Sequence, residues 1–575
     1  MNAMNPQQSQ LTELFQNALL SLGVQDATVI LTRPKDPSHG DYASNVALTL
    51  AKRLRRSPAD IARDISEAVM AQEGAKGVVG TIEIAGPGFI NVRLAQGALG
   101  GILSEILTNG EAYGRLAPGS KGKIIIEYVS ANPTGPLHLG HARQGALGDV
   151  LSAIFRSQGY DVCREFYYND AGVQIDTLTE SVRLRALEEN GEVINFPENG
   201  YKGDYIRDIA RDFLSGMSVR TRNGKTVTAS GDVADIASIR AFSVAFLQKE
   251  QDEDLKALGI SFDSFYLESS LYTDGLVQKA VDACIQSGYT YEKDGALWLR
   301  TTNFPNIADD KDRVMRKSDG HYTYFVPDIA YHLSKFMRGF KNAIDIQGSD
   351  HHGTTSRVRI GVQIVGKVYG LKDLPAIYPH YILHKMLKVV KDGEEVKMSK
   401  RAGTYVTLKD LVTWVGKDAA RYFLVSRKAD TEFVFDVNLA LSKSDENPVY
   451  YLQYAHARIC SIFKQAQEKL GVSLSQDDLL QSDKSLLQAT SEQKLIVRLA
   501  EYPGVLALCV KDEAPHFLCT YLKDLAADFH AFYNDQRVLC DDPKLTASRL
   551  SLVAATRVVL ENGFKLLGIE APERM

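Results

Sequence analysis

"KIIIEYVSANPTGPLHLGHARQGALGD", residues 123–149, decides the fold. Its opening, Lys123–Val129, is a β-branched apolar run fit for a buried parallel strand. A helix is expected from Gly140 to Gln158, stopped at Gly159, and "YDVCREFYYN" (160–169) supplies a second strand. Strand, helix and strand in that order make a βαβ unit. Further strands are expected at "ALWLRTT" (296–302), "HYTYFVP" (321–327), "NAIDIQG" (342–348) and "IYPHYILHKMLKVV" (377–390), most of them followed by helical patterns. The natural assembly is a Rossmann-like, doubly wound parallel sheet with its sites at the carboxyl ends of the strands. Charged helical segments over roughly 180–295 read as an insertion joining its halves.

The corner between the first strand and its helix carries the chemistry. His138 and His141 lie three apart around Gly140, so both rings can stand on one side of a helix start, where free N–H groups favour an anion. Gly140 lets the backbone approach a flat ligand, while Pro133 and Pro136 stiffen the approach. A triphosphate and its adenine are the expected occupants, with Pro133, Leu137 and Gly140 as nucleotide contacts. Chance gives about 0.02 such H-x-G-H strings in this composition, and the strand–turn–helix context supports the match. A second constellation, "EEVKMSKRAGTYVTL" (394–408), crowds Lys397, Lys400 and Arg401 after a strand. Such lysines act as movable charges that follow negative charge onto a leaving pyrophosphate, and Met398 and Ser399 between them are further expected nucleotide contacts.

Outward from this core, residues 1–115 read as a small α+β unit, with a helix in "LTELFQNALLSLG" and two strands around Gly-Pro-Gly in "TIEIAGPGFINVRL". A Pro/Gly/Ser linker follows, then a catalytic domain over 120–408, and long amphipathic runs make an all-α bundle of 409–575. With 575 residues, 45% of them hydrophobic, the chain can bury several cores. A net charge of -5 does not advertise nucleic acid, although an acidic total can hide basic surface. The six cysteines form no C-x-x-C pair, so neither a zinc site nor a disulfide framework is expected. No apolar run nears the ~20 residues of a membrane span, and the start lacks a leader pattern. Cytoplasmic residence is expected.

"HLGH" followed by "KMSKR" resembles the two signatures of class I aminoacyl-tRNA synthetases. Within that class the chain is most similar to the arginyl-tRNA synthetase family. "HGDYASNVA" and "GPGFINVRL" resemble its N-terminal tRNA-elbow domain. "EYVSANPTGPLHLGHAR", "YYNDAGVQ", "LGISFDSFYLESSLY", "GSDHHG" and "KMSKRAGT" resemble its catalytic domain, and "DAARYFLVSR", "NPVYYLQYAHAR" and "LLGIEAPERM" its anticodon-binding bundle. The resemblance implies an ATP-dependent ligase that charges tRNA(Arg) with L-arginine through an adenylate, uses ATP with Mg²⁺, works as a monomer and activates arginine only with tRNA present. It also implies catalytic roles for His138, His141, Lys397 and Lys400. The rival readings are another class I synthetase and a non-catalytic tRNA-binding paralogue.

A guanidinium pocket needs carboxylates, with aromatic walls as an option. Glu127 ends the first strand with Ser130 and Asn132 just beyond, and Tyr324 and Asp328 share a face if a helix begins near Pro327. By resemblance, Glu127 and Asn132 match the positions that hold the α-amino group and carboxyl of the amino acid, and Tyr324 and Asp328 its side-chain pocket. Gly348 and Asp350 follow a strand and suit the ATP ribose. His351 and His352 either face the site or cap a helix, and Asn169, Asp170 and Gln174 match a family signature that turn formation also explains. For RNA, Tyr451, Tyr454, His456 and Arg458 lie along one expected helix and mix stacking faces with a cation, with Tyr42 and Asn45 as analogues at the tRNA elbow.

Overall fold

The structure, a computed structural model, describes the chain apart from residues 1–5, 35, 37, 38, 171, 305, 306, 308, 397–404, 472 and 473, and apart from the side chains of 6, 96, 469 and 470. It forms two compact units, one of Leu116–Ser442 and one of Met1–Arg115 with Lys443–Met575.

The first unit is built on β1 (Lys123–Glu127), β2 (Asp161–Tyr168), β3 (Ser264–Leu267), β4 (Asn342–Gly348) and β5 (His380–His384). They form one sheet in the order β5-β4-β1-β2-β3, every pair parallel. The order reverses direction between β1 and β4, which opens a crevice at their carboxyl ends. Side chains alternate along β1, so Ile125 packs with Val326 and Ile329 of the helix Phe325–Met337 and Val358 of the helix His352–Val368. Over the other face passes α1 (Leu139–Ser157), so close that a Cβ at Gly148 would fall 2.2 Å from the Tyr128 ring. The insertion carries α2 (Asp204–Leu214) and α3 (Ile236–Ala257), which with the helix Val173–Glu189 bury Leu178, Ile206, Phe213 and Phe242 in a core of their own. After β3 come α4 (Phe325–Met337), α5 (His352–Val368) and α6 (Leu408–Val425).

Four expectations change here. The insertion stops before Ser264, because β3 returns to the parallel sheet. Ala296–Leu299 is a strand of a separate antiparallel sheet, between Thr290–Lys293 and Arg313–Arg316. The segment 321–327 is not a strand: its aromatic alternation mimics one, but α4 begins at Phe325, and Pro327 falls in the first turn, where its missing N–H costs nothing. Finally, the unit continues to Ser442 rather than ending at 408, since Leu387–Lys391 pairs in parallel with Phe433–Asp436. The run 377–390 accordingly divides into β5 and this second strand.

In the second unit, a four-stranded sheet of Leu31–Thr32, Tyr42–Ser44, Val79–Ala85 and Phe89–Leu94 joins the bundle helices α7 (Pro448–Leu470), α8 (His516–Asp535) and α9 (Pro543–Leu567). Arg33 links sheet to bundle through Glu501 at 3.3 Å. Among the described residues no helix is long and apolar enough to cross a membrane.

Candidate active site

His138 is the N-cap of α1. Its Nδ1 accepts from the Gly140 N–H at 3.0 Å, and the His141 Nδ1 accepts from the His138 N–H at 3.3 Å, a capping box made of imidazoles. The rings stack with centroids 3.8 Å apart. With both Nδ1 atoms accepting, each neutral ring carries its proton on Nε2, so each Nε2 is a donor suited to phosphate oxygen. Gly140 is needed beside them: a Cβ there would fall 2.8 Å from His138 and 3.1 Å from the Met386 sulfur. Helix α1 is itself fixed from below by the fully buried Arg143, which donates to the carbonyls of Lys385, Lys428 (3.0 Å) and Thr431 (3.0 Å).

The loop before the corner is clamped by the insertion. On α3 the buried Gln251 donates to the Asn132 carbonyl at 3.1 Å and the Gly135 carbonyl at 3.0 Å. From α2, the Tyr205 hydroxyl donates to the Thr134 carbonyl at 2.9 Å. Tyr405 donates to the Pro136 carbonyl at 3.3 Å, and the Leu408 N–H to the Leu137 carbonyl at 2.7 Å, so the start of α6 is tied to the histidine corner. Pro133, Leu137 and Gly140 are all buried in this arrangement.

Beside it lies an acidic pocket. Asp328, in the first turn of α4, is half-buried and has no hydrogen bond or ion pair among the described residues. Burial, then the charges of Glu268 and Glu127, push its carboxyl up to about 7. Glu268, the first residue after β3, is raised too, chiefly by burial, and among the described residues its carboxylate accepts from the Tyr167 hydroxyl at 3.0 Å. Neither carboxylate is in an ion pair among the described residues, although the charges of Lys335 and Arg357 reach Asp328, and a guanidinium would engage both with paired N–H donors. Tyr324 stands at the rim, 77% exposed. Glu127, by contrast, is buried and already partnered: the Lys335 Nζ donates to it at 2.5 Å and the Ser130 hydroxyl at 2.8 Å. Ser130 and Val129 take positive φ angles of 40° and 69°, a strained strand end that turns the chain toward the crevice.

The structure brings Glu127, Ser130, Asp328, His138 and His141 to the carboxyl edge of one sheet, because β1 and β4 are register neighbours there. Gly348 ends β4, and a Cβ on it would strike the Asp350 carboxylate at 2.4 Å, while Asp350 itself is exposed. His351 and His352 are exposed at the start of α5. Lys397, Met398, Ser399 and Lys400 lie outside the described residues. Glu268 is not among the residues expected from the sequence, because its place beside Asp328 depends on β3 rejoining the parallel sheet. The signature around Asn169 also gains a role: Asp170 accepts from Ser269, next to Glu268, at 3.0 and 2.6 Å, and Gln174 accepts from the Asn132 amide at 2.6 Å.

In the other unit two expected RNA contacts are core residues. Tyr42 is 2% exposed within its strand and cannot offer a ring to a base, whereas Asn45 is exposed. His456 is 1% exposed, held by the Pro572 carbonyl at 2.9 Å and Glu561 at 3.0 Å; against burial, which lowers it, the hydrogen bonds to Cys460, Glu561 and Pro572 raise its imidazole to about 10. Hydrophobic and ionic packing of the C-terminal tail takes this histidine, which sits on the opposite side of α7 from solvent. Tyr451 and Tyr454 are half-buried beside His530 of α8, with ring centroids 4.7 and 5.9 Å away, and Arg458 donates to the Tyr454 hydroxyl at 2.7 Å.

Sheet order, histidine corner and cap geometry define a class I aminoacyl-tRNA synthetase, and the family model for the catalytic domain of tRNA synthetases class I (R) matches residues 102–435. The arginyl tRNA synthetase N-terminal domain model matches 9–94 and the DALR anticodon binding domain model 452–575. The chain is 54% identical over 570 residues to an arginine--tRNA ligase of Bordetella pertussis and 52% identical over 586 to one of a Janthinobacterium species, covering 99% of each chain in both cases. It belongs to the arginyl-tRNA synthetase family. The solved Thermus thermophilus arginyl-tRNA synthetase shares the fold, with a TM-score of 0.74 at 23% identity over 99% of this chain and 100% of that one.

Proposed function

We propose that this chain joins L-arginine to tRNA(Arg) at the site just described. The arginine carboxylate attacks the α-phosphorus of ATP and the bond to the β-phosphate breaks, giving arginyl-adenylate and pyrophosphate. The terminal ribose hydroxyl of tRNA then attacks the acyl carbon and AMP leaves. The Nε2–H groups of His138 and His141 stabilise charge growing on the phosphates, which is electrostatic rather than covalent catalysis. Asp328 and Glu268 receive the guanidinium with Tyr324 as a wall, Glu127 and Asn132 serve the α-amino and carboxyl groups with Ser130 in support, and Gly348 and Asp350 the ribose. Lys397 and Lys400 are left to the family resemblance.

Mg²⁺ enters with the nucleotide. The described residues offer one buried cluster of metal-ligand type, Glu127, His332 and Asp345, but the Lys335 ammonium is already bonded to both carboxylates. No resident metal is proposed. In the second unit, Asn45 suits the tRNA elbow and Tyr451, Tyr454 and Arg458 the anticodon. The reading extends to a monomer of the cytoplasm, which size-exclusion chromatography and cell fractionation check.

The observation that carries the substrate is the pair of carboxylates, Asp328 and Glu268, neither in an ion pair among the described residues. Citrulline, a neutral near-isostere of arginine, tests it as a competitor of tRNA arginylation. Its inhibition constant is expected roughly 10²-fold above the arginine KM, the scale of a lost charge-assisted pair. Equal potency would remove charge recognition.

A further inference from the structure

Three neighbouring strands each place a buried carboxylate at the same level of the sheet: Asp345 on β4 pairs in register with Glu127 on β1, and Glu127 with Glu165 on β2. Helix α4 and its C-cap residue Arg338 set two cations against this row. Lys335, fully buried, donates from Nζ to Glu127 at 2.5 Å and to Asp345 at 2.6 Å, while Arg338 grips Glu165 with two N–H groups at 2.5 and 2.8 Å. The Tyr331 hydroxyl adds a bond to Glu165 at 2.8 Å, and the Lys335 ammonium lies 4.5 Å from the Tyr331 ring centroid. The same helix carries Asp328, two turns before Lys335 on the same stripe.

A buried ion pair adds little net stability, because desolvation offsets the attraction. Stability gives Lys335 a reason only once Glu127 and Asp345 are there, and none for building the charged cluster in place of an apolar one. We propose that Lys335 is a positioning residue for arginine recognition. Its bond holds the Glu127 carboxylate in place at the end of β1, and its bridge from β1 to β4 fixes the height of α4, hence of Asp328, above the sheet. This rests on the reading of Glu127 and Asp328 as substrate contacts.

The test is the kinetics of arginylation in charge-balanced variants. Lys335→Met/Asp345→Asn removes the cation together with one carboxylate, leaving Glu127 without its partner. Its arginine KM is expected to rise about tenfold or more, with the ATP KM within about twofold, as one lost buried charge contact dictates. Asp345→Asn alone keeps the Lys335–Glu127 bond and an amide oxygen that still accepts from Lys335, so the bridge stands and the arginine KM should stay within about twofold of wild type. Wild-type arginine KM in the double variant overturns the proposal. If the double variant does not fold, Lys335→Arg keeps the charge but moves it: a severalfold higher arginine KM is expected, and an unchanged one, or an equal rise for ATP, overturns the proposal. Glu127→Gln separates the two readings. A raised arginine KM there with no effect at Lys335 sinks the Lys335 role alone; wild-type kinetics in Glu127→Gln sinks the substrate contact and the proposal with it.

Discussion

Asp170 accepts two hydrogen bonds from Ser269, one from its backbone N–H at 3.0 Å and one from its hydroxyl at 2.6 Å. Ser269 follows Glu268, so a residue in the turn after β2 sets where a pocket carboxylate stands after β3. Asp170→Ala should raise the arginine KM about fivefold to tenfold and leave the ATP KM unmoved, since misplacing a charged contact costs on the order of 1–1.5 kcal/mol. Steady-state arginylation at varied arginine reads it, and a matched rise for ATP would mean general disorder instead.

Charge in the pocket is the second point of test. Asp328→Asn and Glu268→Gln keep shape and remove charge, and each should lower kcat/KM for arginine by ~10²-fold or more. Arginine kinetics like wild type in either variant would take that residue out of the pocket.

The pH dependence follows from the raised carboxyl of Asp328, at about 7. Below that pH the free enzyme holds Asp328 protonated and offers the guanidinium no charge; above it the charge is present. Thus kcat/KM for arginine should fall as pH drops through 7 and level off above, and Asp328→Asn should flatten that limb. Folding runs the other way. A folded-state pKa above the unfolded value favours the protonated folded form, so the advantage present at low pH is lost as pH rises through 7. Asp328→Asn should therefore raise Tm at pH 8 more than at pH 5, and the reverse ordering would contradict the assignment.

At the histidine corner, capping and catalysis can be separated. His138→Ala removes the acceptor for the Gly140 N–H and should cost about 1 kcal/mol of stability together with much of kcat. His138→Asn restores a cap but not the Nε2 donor, so denaturant stability should recover while kcat stays low. Recovery of both would reduce His138 to a cap.

The parts legible in the sequence were those set by local pattern. The run of Ile124–Ile126 between a charged start and a Pro/Gly turn reads as a buried strand, and α1 and β4 followed from their own periodicity. Asp328 near Pro327 was legible as a helix-start carboxylate, and a place in a pocket came only from the family resemblance and Tyr324 four residues before it. Glu268 was not, because β3 rejoins the sheet only after the whole insertion, and nothing local says which sheet a four-residue strand enters. Lys335 reads as an ordinary helical lysine until the register of three strands sets carboxylates beneath it. Tyr42 and His456 have the right chemistry for RNA, but burial depends on neighbours distant in sequence, such as Glu561 and Pro572. The tyrosines and Val326 at 322–326 imitate strand alternation, and only the pairing of Arg316 with Tyr322 in a single bridge shows how short that likeness is.

The most direct measurement offers the protein each of the twenty amino acids in turn with ATP and bulk tRNA, and records which one becomes esterified. Arginine alone is expected, with charging lost when Asp328→Asn and Glu268→Gln are combined. Esterification of any other amino acid at a comparable rate, or full arginine charging by the double variant, would contradict the acidic pocket as the seat of specificity.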